Sequence, residues 1–474
     1  MKNITCFIPF ESDEQSATTV TNLSKQDLVA QIHYLSGDIR STAQMRFIAE
    51  HSHTPYTLIY TKYTTLSFTR YALERMEALL EDSGAVMVYS DHFNQSGGLR
   101  TEAPVIDYQL GALRDDFDFG SVLLYRTSVL RQAVSQMNND YKFAGLYDLR
   151  LRASRLGAIE HIPEYLYTDI ELDTRKSGEK LFDYVDPRNR AVQIEMEHAV
   201  TEHLQAIGGY LLPEFKQVDF EEAYFEYEAS VVIPCKNRVR TIETAVRSAL
   251  SQQVEPPYRF NVIVVDDNST DGTVDILRRI KAEGHNNFIY IAQDKTWHAI
   301  GGNWNAALHH ADCGRFAIQL DSDDVYADEH TVQKFINAFH EQHCAMVIGT
   351  YQLTDFDGNP LPPGVIDHRE WTPDNGRNNA LRINGLGAPR GFYTPLLRQL
   401  NFPTTKYGED YAVGLRVSRE YQIGRIYDVL YNCRRWDDNS DANVDIAGMN
   451  RNNFYKDRIR TWELKARIAM NSKH

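Results

Sequence analysis

The sequence predicts an α/β protein with two domains, each built on a mainly parallel, Rossmann-related sheet, followed by a C-terminal helix. From residue 230, apolar runs of strand length (SVVIP, FNVIVV) alternate with helical runs of period 3.6, which is typical of a parallel sheet covered by helices. The same order of elements recurs faintly near the N-terminus and indicates an internal duplication. A length of 474 residues also favours more than one core.

The first copy matches the second in five places. ITCFIPF corresponds to SVVIPCK, YTLIYTKYTTL to FAIQLDSDDVY, AVMVYSDHF to AMVIGTYQL, GSVLLYRTSVL to GAPRGFYTPLL, and LRASRLGAIEHIPEYLY to LRVSREYQIGRIYDVLY. In this alignment Thr61 stands at Asp321 and Tyr63 at Asp323, so the acids of the second copy are lost. We predict a degenerate, non-catalytic domain over residues 1–172, while Asp148 and Asp91, which follows another predicted strand, keep a second, metal-free site open as an alternative.

The remaining segments follow in order. Residues 173–226 are predicted to be a helical linker and 227–440 a catalytic domain. A basic, amphipathic helical tail is predicted over 441–474, which most simply packs on a domain.

The composition limits the classes of function. Hydrophobic residues make up 42% and charged residues 24% of the chain, as in soluble globular proteins, and the formal net charge is −15. This acidic balance argues against a nucleic-acid partner, because phosphate binding requires a basic surface. No apolar run reaches the length of a membrane span, and the N-terminus lacks the features of a secretion signal. We expect a cytoplasmic protein, and leave open peripheral contact with the inner face of the membrane and a homo-oligomer.

Acidic side chains follow two predicted strands. Asp266 and Asp267 end one strand, and Asp321, Asp323 and Asp324 follow another within four residues. Alone, each group fits a solvated turn or a helix cap. Because ligands of doubly wound sheets bind outside the carboxyl ends of the strands, two acidic strand ends on one edge favour a site.

Taken together, SVVIPCKNR, NVIVVDDNSTDGT, the Asp-Ser-Asp-Asp cluster, GAPRGFY and KYGEDYAVGLR resemble a family-2 glycosyltransferase with the GT-A fold. The resemblance covers about 228–440 and, weakly, the first copy. It implies that a divalent cation, Mn²⁺ or Mg²⁺, joins the acids to the diphosphate of a nucleotide sugar, because carboxylates are hard oxygen ligands. Asp323 is then the expected metal ligand, and Asp321 contacts the metal or the ribose.

The resemblance also implies a donor site for a UDP-sugar. Asp267 would accept hydrogen bonds from the base, although one acid of its pair fits a helix cap equally well. Trp304 stands where the family usually has a basic residue, and Trp436, Asp437 or Asn439 stands where it usually has a metal-binding His. The donor-binding residues expected are Pro234, Lys236, Asn237, Asp267, Gly301, Gly302, Asn305, Asp321, Ser322 and Arg435, with the glycines placed before a helix.

On the acceptor side, the resemblance assigns Asp410 as the general base that deprotonates the attacking hydroxyl. Glu409 would orient the acceptor, although acids there also suit a helix N-terminus. Arg390, His368 and Trp371 fall where acceptors bind, and a structural role for His368 is the alternative.

The function implied is metal-dependent, inverting transfer of a hexosyl or N-acetylhexosaminyl group from the nucleotide sugar to a glycan, lipid-linked or protein acceptor. A two-site glycan polymerase and a non-catalytic nucleotide-sugar-binding scaffold are the alternatives. A nucleotidyltransferase fits less well, because the glycine- and arginine-rich opening loop expected of many such enzymes is missing.

Overall fold

The structure, a computed structural model, describes residues 2–10, 13–173, 175, 180, 183–221, 223–293, 296, 299–436, 439 and 444–473. The chain divides into two compact units. The first comprises Met1–Lys180, Asn189–Tyr210 and Val444–His474, and the second comprises Leu181–Arg188 and Leu211–Asn443. The predicted linker helix and the C-terminal helix are therefore both part of the first unit.

The first unit is built on an eight-stranded sheet in the order β2-β1-β3-β7-β5-β8-β4, with β6 paired to β5. Its strands are β1 (Ile4–Pro9), β2 (Val29–Leu35), β3 (Tyr56–Tyr60), β4 (Ser67–Phe68), β5 (Met87–Ser96), β6 (Leu99–Ala103), β7 (Val122–Arg126) and β8 (Ile159–Ile170). Its helices are α1 (Asp13–Ser24), α2 (Thr42–His51), α3 (Ala72–Ser83), α4 (Thr127–Ser135), α5 (Gly145–Ala153), α6 (Arg190–Ala206) and α14 (Ile446–Asn471). Two clusters of buried apolar residues form its core.

The second unit is built on a nine-stranded sheet in the order β11-β10-β9-β12-β16-β14-β17-β13, with β15 paired to β14. Its strands are β9 (Ala229–Cys235), β10 (Phe260–Asp266), β11 (Phe288–Ala292), β12 (Phe316–Gln319), β13 (Val325–Tyr326), β14 (Met346–Thr354), β15 (Pro360–Ile366), β16 (Arg390–Tyr393) and β17 (Ile423–Arg434). Its helices are α7 (Ile242–Leu250), α8 (Thr273–Ala282), α9 (Ala299–Leu308), α10 (Thr331–Gln342), α11 (Gly376–Asn379), α12 (Thr394–Leu400) and α13 (Glu409–Ser418).

The parallel half of the second sheet follows directly from the sequence. Strands β9 and β10 are buried along their whole length, which explains their continuous apolar runs. Helix α7 covers them with Ile242, Ala245, Val246 and Ala249, at the spacing of one helix face. The other half is mixed, because β16 runs antiparallel to both β12 and β14.

Equivalent strands of the two sheets are paired in the same hydrogen-bond register. Strand β12 pairs with β16 through Phe316 and Tyr393, and β3 pairs with β7 through Tyr56 and Arg126. Phe316 therefore corresponds to Tyr56, as the sequence alignment of FAIQLDSDDVY with YTLIYTKYTTL requires. The predicted fold class and the duplication within it are confirmed at the level of individual strand pairs.

The C-terminal helix α14 packs closely on the first unit. Thr461 Oγ1 accepts a hydrogen bond of 2.9 Å from the Gly111 backbone N–H. A Cβ atom at Gly111 would lie only 2.2 Å from the Thr461 nitrogen, so glycine permits this contact. Within the described residues, none of the helices has both the length and the apolar character that crossing a membrane requires.

Candidate active site

The candidate site lies at the edge of the second sheet where β9, β10 and β12 end. Cys235 lies opposite Asp266 in the β9–β10 pair, and Val232 lies opposite Gln319 in the β9–β12 pair. The loops that follow these three parallel strands therefore leave the sheet at one edge. Strand β16 runs the other way and begins at this edge with Arg390.

The loops after β9 and β10 hold the residues assigned to the base. Lys236 Nζ lies 3.0 Å from Asp267 Oδ2. Asn237 has a φ of 51°, a left-handed conformation that asparagine tolerates. Its N–H donates to Ser269 Oγ at 2.7 Å, and its Oδ1 accepts from the Thr270 N–H at 2.8 Å. Asn237 thus joins the two loops, and its side-chain oxygen is already used.

Only one acid of the β10 pair has a role within the turn. Asp266 accepts a hydrogen bond of 3.2 Å from the Ser269 N–H, and its other oxygen is buried without a hydrogen-bond partner among the described residues. Helix α8 is preceded by Asp271, which accepts from the Thr273 N–H at 3.0 Å. Neither Asp266 nor Asp267 therefore caps helix α8, as the alternative proposed. Asp267 lies beside Lys236.

Pro234 does not fit its predicted role. The residue is buried inside β9, where it pairs with Val265 of β10. A buried strand residue cannot present its ring to a nucleobase, so the prediction that Pro234 forms part of the base wall is wrong.

Asp324 has a structural role in the acidic cluster. Its carboxylate is buried and accepts a hydrogen bond of 2.7 Å from the Arg434 backbone N–H. Burial, with the charges of Asp323 and Asp321, raises its pKa well above the ordinary value. Ser322 is also buried. The two acids left for a ligand are Asp321 and Asp323.

Asp321 and Asp323 differ in their partners. The side-chain amide of Gln319 donates to both oxygens of Asp321, at 2.9 and 3.1 Å. Asp323 Oδ2 lies 3.7 Å from Arg238 Nε and accepts a bond of 3.3 Å from Asn439 Nδ2. Burial raises the pKa of Asp321, the Gln319 hydrogen bonds oppose this, and the nearby charge of Asp323 adds to the rise.

This pair fits a divalent cation in part. Among the described residues, no group of three or more His, Cys, Asp or Glu side chains lies close enough together to hold a metal ion. Asp321 and Asp323 are hard oxygen donors, and the charge repulsion between them is what a cation would relieve. The other ligands would have to come from phosphate oxygens of the donor or from water.

The end of β17 brings an arginine that was not predicted to the acids. Arg434 lies beside Asp323, because its Nε donates to the Asp323 carbonyl at 2.6 Å. The backbone N–H of its neighbour Arg435 donates to the Thr354 carbonyl at 2.8 Å. A donor role for the Arg435 side chain stays a prediction.

Asn439, one of the residues that stand in place of the family's usual His, lies beside the acids. Its amide nitrogen contacts Asp323, and its Oδ1 accepts from the Trp436 N–H at 2.7 Å. The Trp436 ring packs edge-on against Phe356, with centroids 5.3 Å apart. Asp437 lies outside the described residues.

The Gly-Glu-Asp turn forms the opposite side of the site. Gly408 has a φ of 78°, and Glu409 and Asp410 follow in the first turn of α13. Asp410 Oδ2 forms an ion pair of 2.5 Å with Arg390 Nη2. Glu409 is buried, and this burial, reinforced by the Asp410 charge, raises the pKa of Glu409 to about 8. Glu409 is thus mainly protonated at neutral pH.

The predictions that Gly301 and Asn305 contact the donor are wrong, whereas that for Gly302 stays a prediction. Gly301 and Gly302 lie inside the first turn of α9 rather than before it. A Cβ at Gly301 would lie 1.8 Å from the Pro403 carbonyl oxygen, so the missing side chain permits helix packing and not contact with a donor. Asn305 donates to the Phe402 carbonyl at 2.8 Å and accepts from the Phe402 N–H at 2.7 Å. Its amide is fully used by the protein backbone.

Two rings predicted to bind the acceptor, and Trp304 at the position where the family usually has a basic residue, are buried. His368 is 2% exposed, and its Nδ1 lies 2.9 Å from Glu370 Oε1. Trp371 is 4% exposed and lies against Gly376, while Trp304 is equally buried. An acceptor cannot contact buried rings, so the acceptor-binding predictions for His368 and Trp371 are wrong and the structural alternative for His368 is the better one.

Three residues beside the acids were missed. Arg238 follows β9 in SVVIPCKNR, and a basic residue directly after a strand is a usable signal. Gln319 is a polar last residue of an otherwise apolar strand, which is a weak signal. Arg434 could not have been chosen over its neighbour, because only the β14–β17 register places it.

In the first unit, the acids considered for a second site have internal partners. Asp148 is buried and bonded to Arg152 Nε at 2.8 and 2.9 Å, one helical turn further along α5. Asp91 Oδ1 lies 2.9 Å from His161 Nε2, within hydrogen-bonding distance.

Comparison with known proteins agrees with this geometry. Residues 230–400 match the family model for glycosyl transferase family 2. The chain is 26% identical over 232 residues to the poly(ribitol-phosphate) beta-glucosyltransferase of Bacillus spizizenii, covering 48% of this chain and only 35% of that protein. It is 25% identical over 203 residues to the UDP-Glc:alpha-D-GlcNAc-diphosphoundecaprenol beta-1,3-glucosyltransferase WfgD of Escherichia coli, covering 42% of this chain and 74% of that protein.

A solved structure of Staphylococcus aureus TarS in complex with UDP-GlcNAc aligns with a TM-score of 0.38 and 23% identity, over 46% of this chain and 61% of that one. The matched segment 230–400 contains the acidic strand ends and Arg390, and the Gly-Glu-Asp turn follows it directly. Within the second unit, residues 230–400 are therefore similar to glycosyl transferase family 2.

Proposed function

We propose that this chain transfers a hexosyl or N-acetylhexosaminyl group from a UDP-sugar to a hydroxyl group of a glycan or lipid-linked acceptor, with inversion at the anomeric carbon. The single observation that carries the proposal is the position of Arg390, which forms an ion pair of 2.5 Å with Asp410 and donates at 3.0 Å to Gln319, the hydrogen-bond partner of Asp321. The carboxylates assigned to donor binding and the carboxylate assigned as general base are thus grouped around one buried guanidinium group.

The donor would lie across the ends of β9, β10 and β12. Asp267 and Lys236 would contact the base, and Asp321 and Asp323 would hold Mn²⁺ or Mg²⁺ together with the diphosphate. When bound, this cation would supply positive charge to the leaving diphosphate. Arg238 and Arg434 add fixed positive charge beside Asp323.

Asp410 would act on the acceptor as the general base. Its carboxylate would take the proton of the acceptor hydroxyl as the oxygen forms a bond to the anomeric carbon. The bond from that carbon to the diphosphate oxygen breaks at the same time, and its electron pair leaves with UDP. Arg390 holds the carboxylate in place, and protonated Glu409 adds no further negative charge beside it.

The names of the relatives support the donor, the acceptor and the stereochemistry. WfgD is named for UDP-Glc, a diphosphoundecaprenol acceptor and a beta linkage, and the Bacillus relative is a beta-glucosyltransferase. A beta product from an alpha-linked UDP-sugar requires inversion. A reaction in the cytoplasm at the membrane surface would suit such lipid-linked acceptors.

A two-site polymerase has less support. At the end of β3 the first unit has Lys62 in the alignment position of Ser322, and Lys62 is paired with Asp169 at 3.1 Å. This internal ion pair leaves no evident place for a metal-bound diphosphate. We propose that the first unit contributes binding surface rather than a second reaction.

The experiment is a panel of UDP- and GDP-sugars with Mn²⁺ or Mg²⁺, tested against lipid-diphosphate sugars and polyol-phosphate polymers. We expect UDP release and a beta-linked product from one UDP-sugar, detected by mass spectrometry and NMR. Binding of a nucleotide sugar without hydrolysis or transfer under any condition would instead support the scaffold alternative.

A further inference from the structure

A continuous hydrogen-bonded chain crosses the second sheet between the two groups of carboxylates. The antiparallel β12–β16 pair sets Ile318 opposite Gly391, so Gln319 and Arg390 are neighbours at the site edge. Arg390 Nη1 donates to Gln319 Oε1 at 3.0 Å. The same glutamine donates through Nε2 to both oxygens of Asp321.

The chemistry of the three side chains fixes which group donates and which accepts in each of these hydrogen bonds. A guanidinium group can only donate hydrogen bonds, and an ionised carboxylate can only accept them. A glutamine amide has one acceptor end and one donor end, so Gln319 satisfies both neighbours at once. Both Gln319 and Arg390 are buried, at 5% and 8% exposure, where a lost partner could not be replaced freely by water.

Arg390 is also held from other directions. Nη2 donates to the Gly387 carbonyl at 2.8 Å, Nε donates to the Leu386 carbonyl, and Nη2 pairs with Asp410 Oδ2 at 2.5 Å. Gln319 is the side chain that fixes the second terminal nitrogen. The guanidinium plane, and with it the place of the Asp410 carboxylate, thus depends on Gln319.

We infer that Gln319 is a positioning residue, which acts through Arg390 to hold Asp410 in its reactive place and joins the acceptor side of the site to Asp321 on the donor side. The part of this inference that concerns catalysis rests on the proposed function. The contact network itself is independent of the substrate.

The test uses Gln319→Leu, which removes both amide bonds at similar volume, with Gln252→Leu as the matched control. Gln252 is equally buried, but among the described residues its side chain bonds to backbone groups of Ser248, Asp328 and Val332 and to none of the site residues. At saturating donor, we expect Gln319→Leu to lower kcat by on the order of 10–100-fold, the scale of a misplaced catalytic group. The KM for the donor should change much less, and the control should keep wild-type kcat.

A second readout needs no activity. In a double-mutant cycle, the unfolding equilibrium constants of Gln319→Leu, Asp410→Asn and the double variant should be non-additive by about threefold or more, because the two side chains are coupled through Arg390. The same cycle made with Arg390→Met should lose the coupling. If Gln319→Leu does not fold, Gln319→Met, which also removes both amide bonds at similar length, replaces it.

An additive cycle overturns the inference, even if kcat falls, because the effect on kcat would then not pass through Arg390 to Asp410. An unchanged kcat in a variant of an active enzyme also overturns it. If the wild-type protein transfers no sugar from any donor, the proposed function fails, and the cycle alone decides whether Gln319 positions Asp410.

Discussion

Glu409→Gln should make the stability of the second unit less sensitive to pH. Burial and the Asp410 charge raise the pKa of Glu409 from its ordinary 4.5 to about 8. Between these values the folded protein keeps a proton that the unfolded chain has released, so wild-type stability falls as pH rises. At about 1.4 kcal/mol per pH unit, the loss between pH 4.5 and pH 8 is at most about 5 kcal/mol. A glutamine at this position cannot ionise and avoids the loss.

The assay is urea unfolding at pH 5 and pH 8, followed by tryptophan fluorescence. Four of the five tryptophans lie in the second unit, so the signal reports mainly on that unit. We expect Glu409→Gln to gain about 3–4 kcal/mol in the free energy of unfolding, relative to the wild type, between pH 5 and pH 8. Glu341→Gln, at an exposed position of α10, is the control and should follow the wild type. A difference between Glu409→Gln and wild type that is the same at both pH values would refute the reasoning.

Three further predictions concern separate parts of the chain. Asp323→Ala should abolish transfer that depends on Mn²⁺ or Mg²⁺, and wild-type turnover by this variant with a chelator present would contradict the metal role. Adding Asp148→Asn to Asp323→Ala should change no residual donor consumption, since Asp148 is bonded to Arg152; a residual rate that disappears with Asp148 would reveal a second active centre. Gly301→Ala should destabilise the protein by about 1–3 kcal/mol or more, measured by urea unfolding, because its Cβ would meet the Pro403 carbonyl at 1.8 Å; unchanged stability would show that this backbone contact is not tight.

Much of the site could be predicted because parallel strands bring distant residues to one edge. The acids after β10 and β12 are far apart in sequence, yet strand pairing alone places them together. The duplication was likewise visible, because strand patterns persist when the chemistry is lost. Asp267, Asp321 and Asp323 could therefore be placed at one edge before the structure was known, whereas Asp410 was chosen from the family resemblance.

The errors have a common physical cause, which is that burial cannot be read from a local motif. Two glycines together suggest a ligand, but Gly301 accommodates the Pro403 backbone instead. An asparagine in the same motif, Asn305, has both polar ends bonded to Phe402. The reversed strand β16 gave no signal that it would bring Arg390 beside Gln319, since only the tertiary register creates that contact.

The most direct test of the account is Asp410→Asn, with donor binding and transfer measured on the same preparation. Calorimetry with UDP and Mn²⁺ should give the wild-type Kd, because Asp410 belongs to the acceptor side. Transfer to the acceptor should be at least about 100-fold slower, the scale expected when a general base is lost. Weakened binding of UDP with unchanged transfer at saturating donor would place Asp410 in the donor pocket and contradict the assignment of the base.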